Sequence, residues 1–455
     1  MPAGKLVFVA RAAYGARNAF AFIASALRRS GLLGKRVGLV FVDENPLGVA
    51  RELRERGREA VVLYGLSSPV FLELMDEVVS VAREFPVVVG GPHAEGAYWQ
   101  LLRLGVYAAV VGDGENAVIG IAEHFLGERG LEDVPNIAFR YGNGFRVTRI
   151  ELVELDDYEP FSREYGLYPP IEIMRGCFYR CKFCQVPWLF KARVRFRSVD
   201  STVSAARSYV EAGKRLIRFV APIGLAYMSH RPGEPNVEAI EALLRGVRSV
   251  GGKPFLGTFP SETRPEYVNP DVLQVLRRFA ENKRLAIGLQ SGSNRVLERS
   301  MRDHTVEEAM EAIRLAARHG FQPVVDLLFG LPGEEEEDVE KTVEIMRELA
   351  RIQAKMRLHA FIPLPGTPFA RERPKPVHPR YKEAALRLTG KGLIEGDWEW
   401  QEKIAPAIYC LTAIDPVPSK EPKPSPRDKE YCEKYWSQWS QTLSPYKEVL
   451  QAVDR

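Results

Sequence analysis

Two series of short apolar runs, each followed by a helical pattern, dominate this chain of 455 residues and leave it few ways to fold. In the first series the strand-like runs are Leu6 to Ala10, Arg36 to Val42, Ala60 to Tyr64, Pro86 to Val89 and Ala108 to Val111. Helical patterns lie at Asn18 to Arg29 and Pro46 to Arg58, and Ser67-Ser68-Pro69 starts another. The runs lack polar alternation, so both faces of each strand must be covered, which implies a parallel sheet between helices. A second series starts at Ile171, with strands Ile171 to Met174, Leu216 to Val220, Pro254 to Gly257, Arg284 to Gly288, Pro323 to Phe329 and Arg357 to Ile362. The helices expected between them are Thr202 to Ala212, Val237 to Ser249, Pro270 to Asn282, Val306 to His319 and Glu336 to Ile352. Six such units fit an open parallel sheet or a partial barrel, short of the full eight-unit barrel.

These series set the expected domains: residues 1–130, a hairpin and linker at 131–168, a second α/β domain at 169–370, and a segment at 371–455. Tyr141-Gly142-Asn143-Gly144 supplies the hairpin turn. The last segment has Pro- and Lys-rich stretches, read as extended linkers, around Trp398, Trp400, Trp436 and Trp439. The tryptophans read as packing anchors for a docking segment, or as a substrate entrance. The run Glu334 to Glu337 reads as a complement to a helix dipole on a solvated face.

Composition excludes several classes. Hydrophobic residues are 45% and charged residues 27%, which rules out wholesale disorder. A net charge of +4 gives no electrostatic case for a nucleic-acid or membrane partner. No apolar run is long enough to span a bilayer. The first residues lack the regions of a signal peptide, so a cytoplasmic protein is expected, with its five cysteines reduced. Cys410 and Cys432, too few for a second cluster, read as buried or surface thiols. Abundant Arg, Glu and Val with little Gln point to a thermophile.

Ligands of open parallel sheets sit at the carboxyl ends of the strands. In the first series those ends carry Gly65, Ser67, Ser68, Gly90, Gly91, Gly112 and Gly114, small enough for a large planar or phosphorylated ligand to approach, or simply suited to turning strand into helix. In the second series the first strand runs into Arg175-Gly176-Cys177-Phe178-Tyr179-Arg180-Cys181-Lys182-Phe183-Cys184. Three thiolates on one loop can converge on a soft metal centre. A structural zinc wants a fourth ligand, which only a remote Cys410, Cys432 or a histidine could give. A disulfide would leave one thiol over. Three cysteines suit a 4Fe–4S cubane with one iron open for a substrate or cofactor.

The pattern Cys-x3-Cys-x-aromatic-Cys, with Cys177, Cys181, Cys184 and the aromatic Phe183, resembles the radical S-adenosylmethionine superfamily. The resemblance implies that the open iron holds the amino and carboxylate groups of S-adenosylmethionine (SAM). Reductive cleavage would give a 5′-deoxyadenosyl radical, with an electron from a ferredoxin or flavodoxin. Ala286 to Ser293 looks like the family's fourth strand, which makes Gln290, Ser291 and Gly292 cofactor-binding candidates. Arg302 lies where members often bind the carboxylate, a fit for a guanidinium fork. Asp326 to Glu334 looks like the fifth strand and its turn. Phe361 to Pro368 looks like the sixth, where Pro363 and Leu364 would border the adenine. Glu262 and Arg264 would face the site or form a surface ion pair. The chain departs from the family at Arg218 to Gly224, which has no acid where many members bind the methionine amino group.

The first series, with Val88-Val89-Gly90-Gly91-Pro92-His93 and Val111-Gly112-Asp113-Gly114-Glu115, looks like the cobalamin-binding domain that precedes many radical enzymes. The implied fold is α/β: a Rossmann-like cobalamin-binding-type domain, then a partial (β/α)6 radical SAM barrel, then a small C-terminal segment. The Asp-x-His-x-x-Gly cobalt-ligand segment is absent, and His93 reads as a turn residue. The implied cofactors are a 4Fe–4S cluster, SAM and cobalamin. The implied activity is methylation of an unactivated carbon. Its alternatives are a cyclisation, rearrangement or oxidation on a degenerate cobalamin domain, or a non-catalytic metal-binding adaptor. Methylthiolation would need a second cluster, and no cysteine precedes Cys177. The substrate, whether small molecule, peptide, lipid or tRNA, is not named by any residue.

Overall fold

The computed structural model describes residues 4–13, 15–189, 193–414 and 425–436. The chain forms two compact units: Met1–Pro169 with Leu364–Gly366 and Ala407–Arg455, and Pro170–Pro363 with Thr367–Pro406.

The first unit is built on a seven-stranded sheet. Its strands are β1 (Leu6–Arg11), β2 (Val37–Val42), β3 (Glu59–Gly65), β4 (Val87–Gly90), β5 (Ala108–Val110), β6 (Ile137–Tyr141) and β7 (Gly144–Val147), in the order β2-β1-β3-β4-β5-β6-β7. β1 to β5 are parallel. All six residues of β1 are buried, as an unalternated Leu-Val-Phe-Val-Ala-Arg run requires. The chain leaves β1 towards β2 and returns on the other side as β3. This reversal opens a crevice at the carboxyl ends of β1 and β3, the usual ligand position of such a sheet.

The hairpin expected within residues 131–168 is present, as β6 and β7. β6 pairs antiparallel with β5, and β7 with β6, so the hairpin continues the sheet. An uncovered β5 would leave an unpaired edge, and β6 removes it. Asn136, at φ 59°, donates to the carbonyls of Asp113 and Glu151, each at 2.8 Å. Asp113 accepts the Val153 amide at 2.9 Å.

The expectation of reduced thiols at Cys410 and Cys432 is overturned: the two form a disulfide. Cys410 lies on helix Trp398–Ile414 and Cys432 on Pro426–Trp436, both buried in a small cluster with Tyr409, Ala413 and Tyr431. Two cysteines on separate helices, 22 positions apart, leave no periodic trace in the sequence.

The second unit is a partial barrel. Its strands are β8 (Ile171–Glu172), β9 (Met174–Arg175), β10 (Arg195–Phe196), β11 (Leu216–Val220), β12 (Lys253–Phe255), β13 (Arg284–Gln290), β14 (Gln322–Phe329), β15 (Lys355–Ala360) and β16 (Ile394–Glu395). Parallel ladders run β8-β11-β12 and β13-β14-β15-β16, and a bridge from Thr263 to Ile287 joins them. Helices return between the strands, and their starts are written in side chains. Ser198, Asn236, Asn269 and Thr305 each accept a backbone N–H at an N-cap, worth about 1 kcal/mol apiece.

The linker expected at Arg371 to Pro379 ends where helix Pro379–Thr389 begins; that helix and β16 complete this unit, and Tyr381 stacks on Phe329 with ring centroids 4.0 Å apart. The Pro416 to Pro426 stretch lies largely outside the described residues. One expectation fails in part: Glu335 to Glu337 are exposed at the start of helix Glu336–Arg351, as expected, but Glu334 is not on a solvated face. It accepts the Gly330 amide at 3.1 Å and the Tyr381 hydroxyl at 2.8 Å, and burial pushes its carboxyl up to about 7. Trp398 is buried, as a packing anchor should be, while the side chain of Trp436 and all of Trp439 lie outside the described residues. Among the described residues no helix is long and apolar enough to cross a membrane.

Candidate functional site

The first barrel strand breaks at Ile173, and the chain turns at Gly176 into the cysteine loop. Gly176 sits at φ 85°, and a Cβ there would lie 2.0 Å from the Arg193 carbonyl oxygen, so only glycine fits. The loop is held from several sides. Lys182 donates its amide to Ser300 at 3.0 Å, the Trp188 indole donates to the Cys181 carbonyl at 3.0 Å, and Lys182 accepts the Phe369 amide at 3.3 Å. Phe183 packs against Val296, Leu331, Phe361 and Phe369. The motif's aromatic residue is thus a hydrophobic peg for the loop.

Cys177 and Cys181 are buried, Cys184 is half-buried, and all three are free thiols. Burial pushes the Cys177 thiol up and the Cys184 thiol up to about 12, with Cys181 adding to both. Such thiols give up their protons to a metal centre rather than to water. Among the described residues no group of three or more His, Cys, Asp or Glu side chains is placed to hold one metal ion. That leaves no support for a lone zinc with four converging ligands. A cubane differs because it takes one thiolate at each of several separate irons. Three free cysteines on one pinned loop fit such a cluster with one iron left open.

Two guanidiniums flank the loop. Arg302 and Arg264 each place NH1 3.4 Å from the Cys181 sulfur. Arg302 also donates to the Gly288 carbonyl at 2.6 Å, while its buried Nε has no hydrogen-bond partner among the described residues. Arg264 donates to Glu266 at 2.6 Å and lies over the Tyr179 ring, 3.5 Å from its centroid. His304 stands behind them, with Nδ1 3.5 Å from Glu266 and Nε2 3.3 Å from the Leu289 carbonyl. Burial would raise the Glu266 carboxyl, but its bond to His304 and the Arg264 charge hold it at about 2.

The other sequence candidates fall into two groups. Gln290 ends β13 at φ 79°, next to a register shift, an unusual conformation for a non-glycine residue at a strand end. Pro363 is buried at the end of its segment, and Leu364 is half-buried and belongs to the first unit. The remaining three have partners within the protein. Ser291 accepts the Ser293 amide at 3.2 Å. Gly292 donates its amide to Thr342 at 3.0 Å, and a Cβ there would lie 2.5 Å from the Thr342 Cα. Glu262 pairs with Arg357 at 2.8 Å rather than with the cysteine loop. Sequence reading missed the group around that pair: Asp326 lies 2.8 Å from Arg357 and 3.7 Å from His359. The available signal was polar residues at every second position, Lys355, Arg357 and His359, alternating with Met356, Leu358 and Ala360.

In the first unit, Gly91 has φ 97° and packs against Leu66, and Gly112 has φ 126° and packs against Asn136, so both are accounted for by the backbone. Ser67 opens helix Ser68–Ala82 without capping it, and Gly114 opens helix Gly114–Phe125. A Cβ at Gly90 would meet only the Val110 side chain, at 3.7 Å, and two backbone and side-chain atoms just beyond. Ser67, Gly90 and Gly114 are half-buried at the strand ends, and a Cβ at Gly114 would lie 3.3 Å from the Ile23 side chain. His93 is not a simple turn residue. It is fully buried, bonds Ser68 at 3.0 Å and stacks on Phe71 at 4.1 Å. It offers no exposed imidazole to a cobalt.

Comparisons with known proteins agree with this division. The model of the B12 binding domain matches residues 4–122, and that of the Radical SAM superfamily matches residues 171–346. The chain is 26% identical over 348 residues to an uncharacterized protein, MK0932, of Methanopyrus kandleri, covering 65% of this chain and 64% of that one. It is 28% identical over 236 residues to the tRNA-2-methylthio-N(6)-dimethylallyladenosine synthase of Finegoldia magna, covering 50% of each. The chain thus spans between about half and two thirds of the length of these relatives. Among solved structures, it has the fold of the radical S-adenosylmethionine methyltransferase TsrM from Kitasatospora setae, determined with cobalamin and a [4Fe-4S] cluster bound. That match has TM-score 0.66 and 16% identity, over 99% of this chain and 100% of that one.

Proposed function

This chain belongs to the radical SAM superfamily, in the group that carries a B12-binding domain ahead of the radical SAM domain, and on that premise we propose that it methylates an unactivated carbon. Its cofactors are a 4Fe–4S cluster, SAM and cobalamin. When bound, they supply the electron that cleaves SAM to a 5′-deoxyadenosyl radical, and a carrier for the methyl group.

The observation that carries the proposal is the pinned loop of three free thiols directly after the first barrel strand. Cys177, Cys181 and Cys184 hold the cluster. Arg302, whose Nε is buried and unpartnered among the described residues, presents a charge for the methionine carboxylate. Gln290 and Pro363 border the same mouth. Ser67, Gly90 and Gly114 receive the corrinoid in the first unit. No cysteine precedes Cys177, and Cys410 and Cys432 are joined to each other, which argues against the second cluster a methylthiolation would need. The electron donor is a ferredoxin or flavodoxin. A cytoplasmic, thermophilic setting accommodates the disulfide, because intracellular proteins of hyperthermophiles retain such bonds.

The test is anaerobic reconstitution followed by reaction with SAM carrying a deuterated methyl group, under a low-potential reductant. Iron, sulfide and corrinoid bind together, and 5′-deoxyadenosine and S-adenosylhomocysteine both form. Protein that takes up the cluster but no corrinoid, and makes only 5′-deoxyadenosine, performs radical chemistry without methyl transfer. Protein that makes neither product is a metal-binding adaptor.

A further inference from the structure

Arg264 was expected to face the site or sit in a surface ion pair; it faces the cysteine loop from a buried position. It is 3% exposed. Three groups clamp its guanidinium. Glu266 takes Nε at 3.1 Å and NH2 at 2.6 Å. The Tyr179 ring lies 3.5 Å below. The Cys181 sulfur accepts from NH1 at 3.4 Å. Tyr179 lies between Cys177 and Cys181, so the same side chain braces the loop and addresses one of its sulfurs.

We propose that Arg264, oriented by Glu266, is a positioning residue that raises the reduction potential of the cluster through its N–H bond to the Cys181 sulfur. The proposal rests on the radical SAM assignment and deepens it. An N–H directed at a ligating thiolate draws electron density off the sulfur and favours the more negative, reduced cluster. The Coulomb part is small, because Glu266 largely cancels the Arg264 charge at 2.6 Å. The directed bond remains. His304, within 3.5 Å of Glu266, completes the clamp from behind. Arg302 reaches the same sulfur but also donates to the Gly288 carbonyl, so it is divided between the loop and β13.

The arrangement gives two variants opposite signs. In Arg264→Lys the planar fork is lost while a charge stays, so the bond to sulfur goes and the midpoint becomes more negative. In Glu266→Gln the guanidinium keeps its place against Tyr179 but loses its counter-charge, so the midpoint becomes less negative. The experiment is a redox titration of the reconstituted full-length protein without SAM, followed by electron paramagnetic resonance of the reduced cluster, with iron and sulfide counted in each sample. Opposite shifts at wild-type cluster content are expected. Unchanged midpoints, or shifts in the same direction, overturn the proposal. Loss of the cluster from both variants overturns it too, since Arg264 would then be only a clamp on the loop. Wild-type protein that assembles no 4Fe–4S cluster fails the family assignment first, an outcome separate from a failure of Arg264 alone.

Discussion

Single residues decide whether the cysteine loop exists. At Gly176 a methyl group would meet the Arg193 carbonyl oxygen, and φ 85° is strained for any side chain. Gly176→Ala is therefore expected to lose most of its bound iron after reconstitution while keeping the circular dichroism of the native fold. Retention of full iron would show that the loop relaxes around the methyl. Glu334 makes a second residue-scale prediction. Its carboxyl lies near 7 in the folded chain and near the ordinary carboxylate range when unfolded. A raised acid contributes stability below its unfolded value and loses it as pH rises through its folded value. Melting temperature should accordingly fall between about pH 5 and pH 8, by the equivalent of roughly 1–3 kcal/mol, and Glu334→Gln should flatten that fall. A wild-type profile that is flat or rises over this window contradicts the assignment. The sequence showed five consecutive acids, Glu334 to Asp338, near a helix start, and nothing in it marked which one turns inwards to Tyr381.

At the scale of elements, what the sequence disclosed follows from how burial is distributed. Apart from Arg11 and Glu59 at their ends, strands β1 to β4 carry no charged residue because both faces are covered, and their positions were readable to within a residue or two. The cysteine loop was readable because its chemistry needs a fixed spacing. The hairpin β6-β7 was readable from its Asn-Gly turn, whereas helix Pro379–Thr389 went unread because a Pro-rich signal marks helix starts as readily as linkers. The Arg264 clamp was half readable: Gly257 to Arg264 drew attention, but its direction towards Cys181 comes from the tertiary fold. The disulfide was not readable, and it carries an element-scale prediction. It closes a loop of 22 positions between two helices, and a closure of that size is worth about 3 kcal/mol. Cys410→Ser with Cys432→Ser should lower the melting temperature and leave the iron content unchanged, as should reductant on the wild type. Equal melting temperatures for oxidised and reduced protein would show that helix Pro426–Trp436 is held without the bond.

For the whole molecule, the thiols and guanidiniums belong to the second unit and the small-residue strand ends to the first. A ligand stabilises the part it binds, by about 2.7 kcal/mol at one hundred times its dissociation constant. A chain of this construction need not unfold in one step, so calorimetry can report the two responses separately. Cys177→Ala removes one thiolate of three and should lose the cluster together with every product of SAM cleavage. It leaves Ser67, Gly90 and Gly114 untouched, so added hydroxocobalamin should still raise an unfolding transition as far as it does in the wild type. Two results would contradict this allocation. Cobalamin that shifts no transition in either protein removes the corrinoid, and with it the methyl carrier, while SAM cleavage by the wild type still attests the radical site. Cobalamin that stabilises the wild type but not Cys177→Ala means that the strand-end residues alone do not form its site.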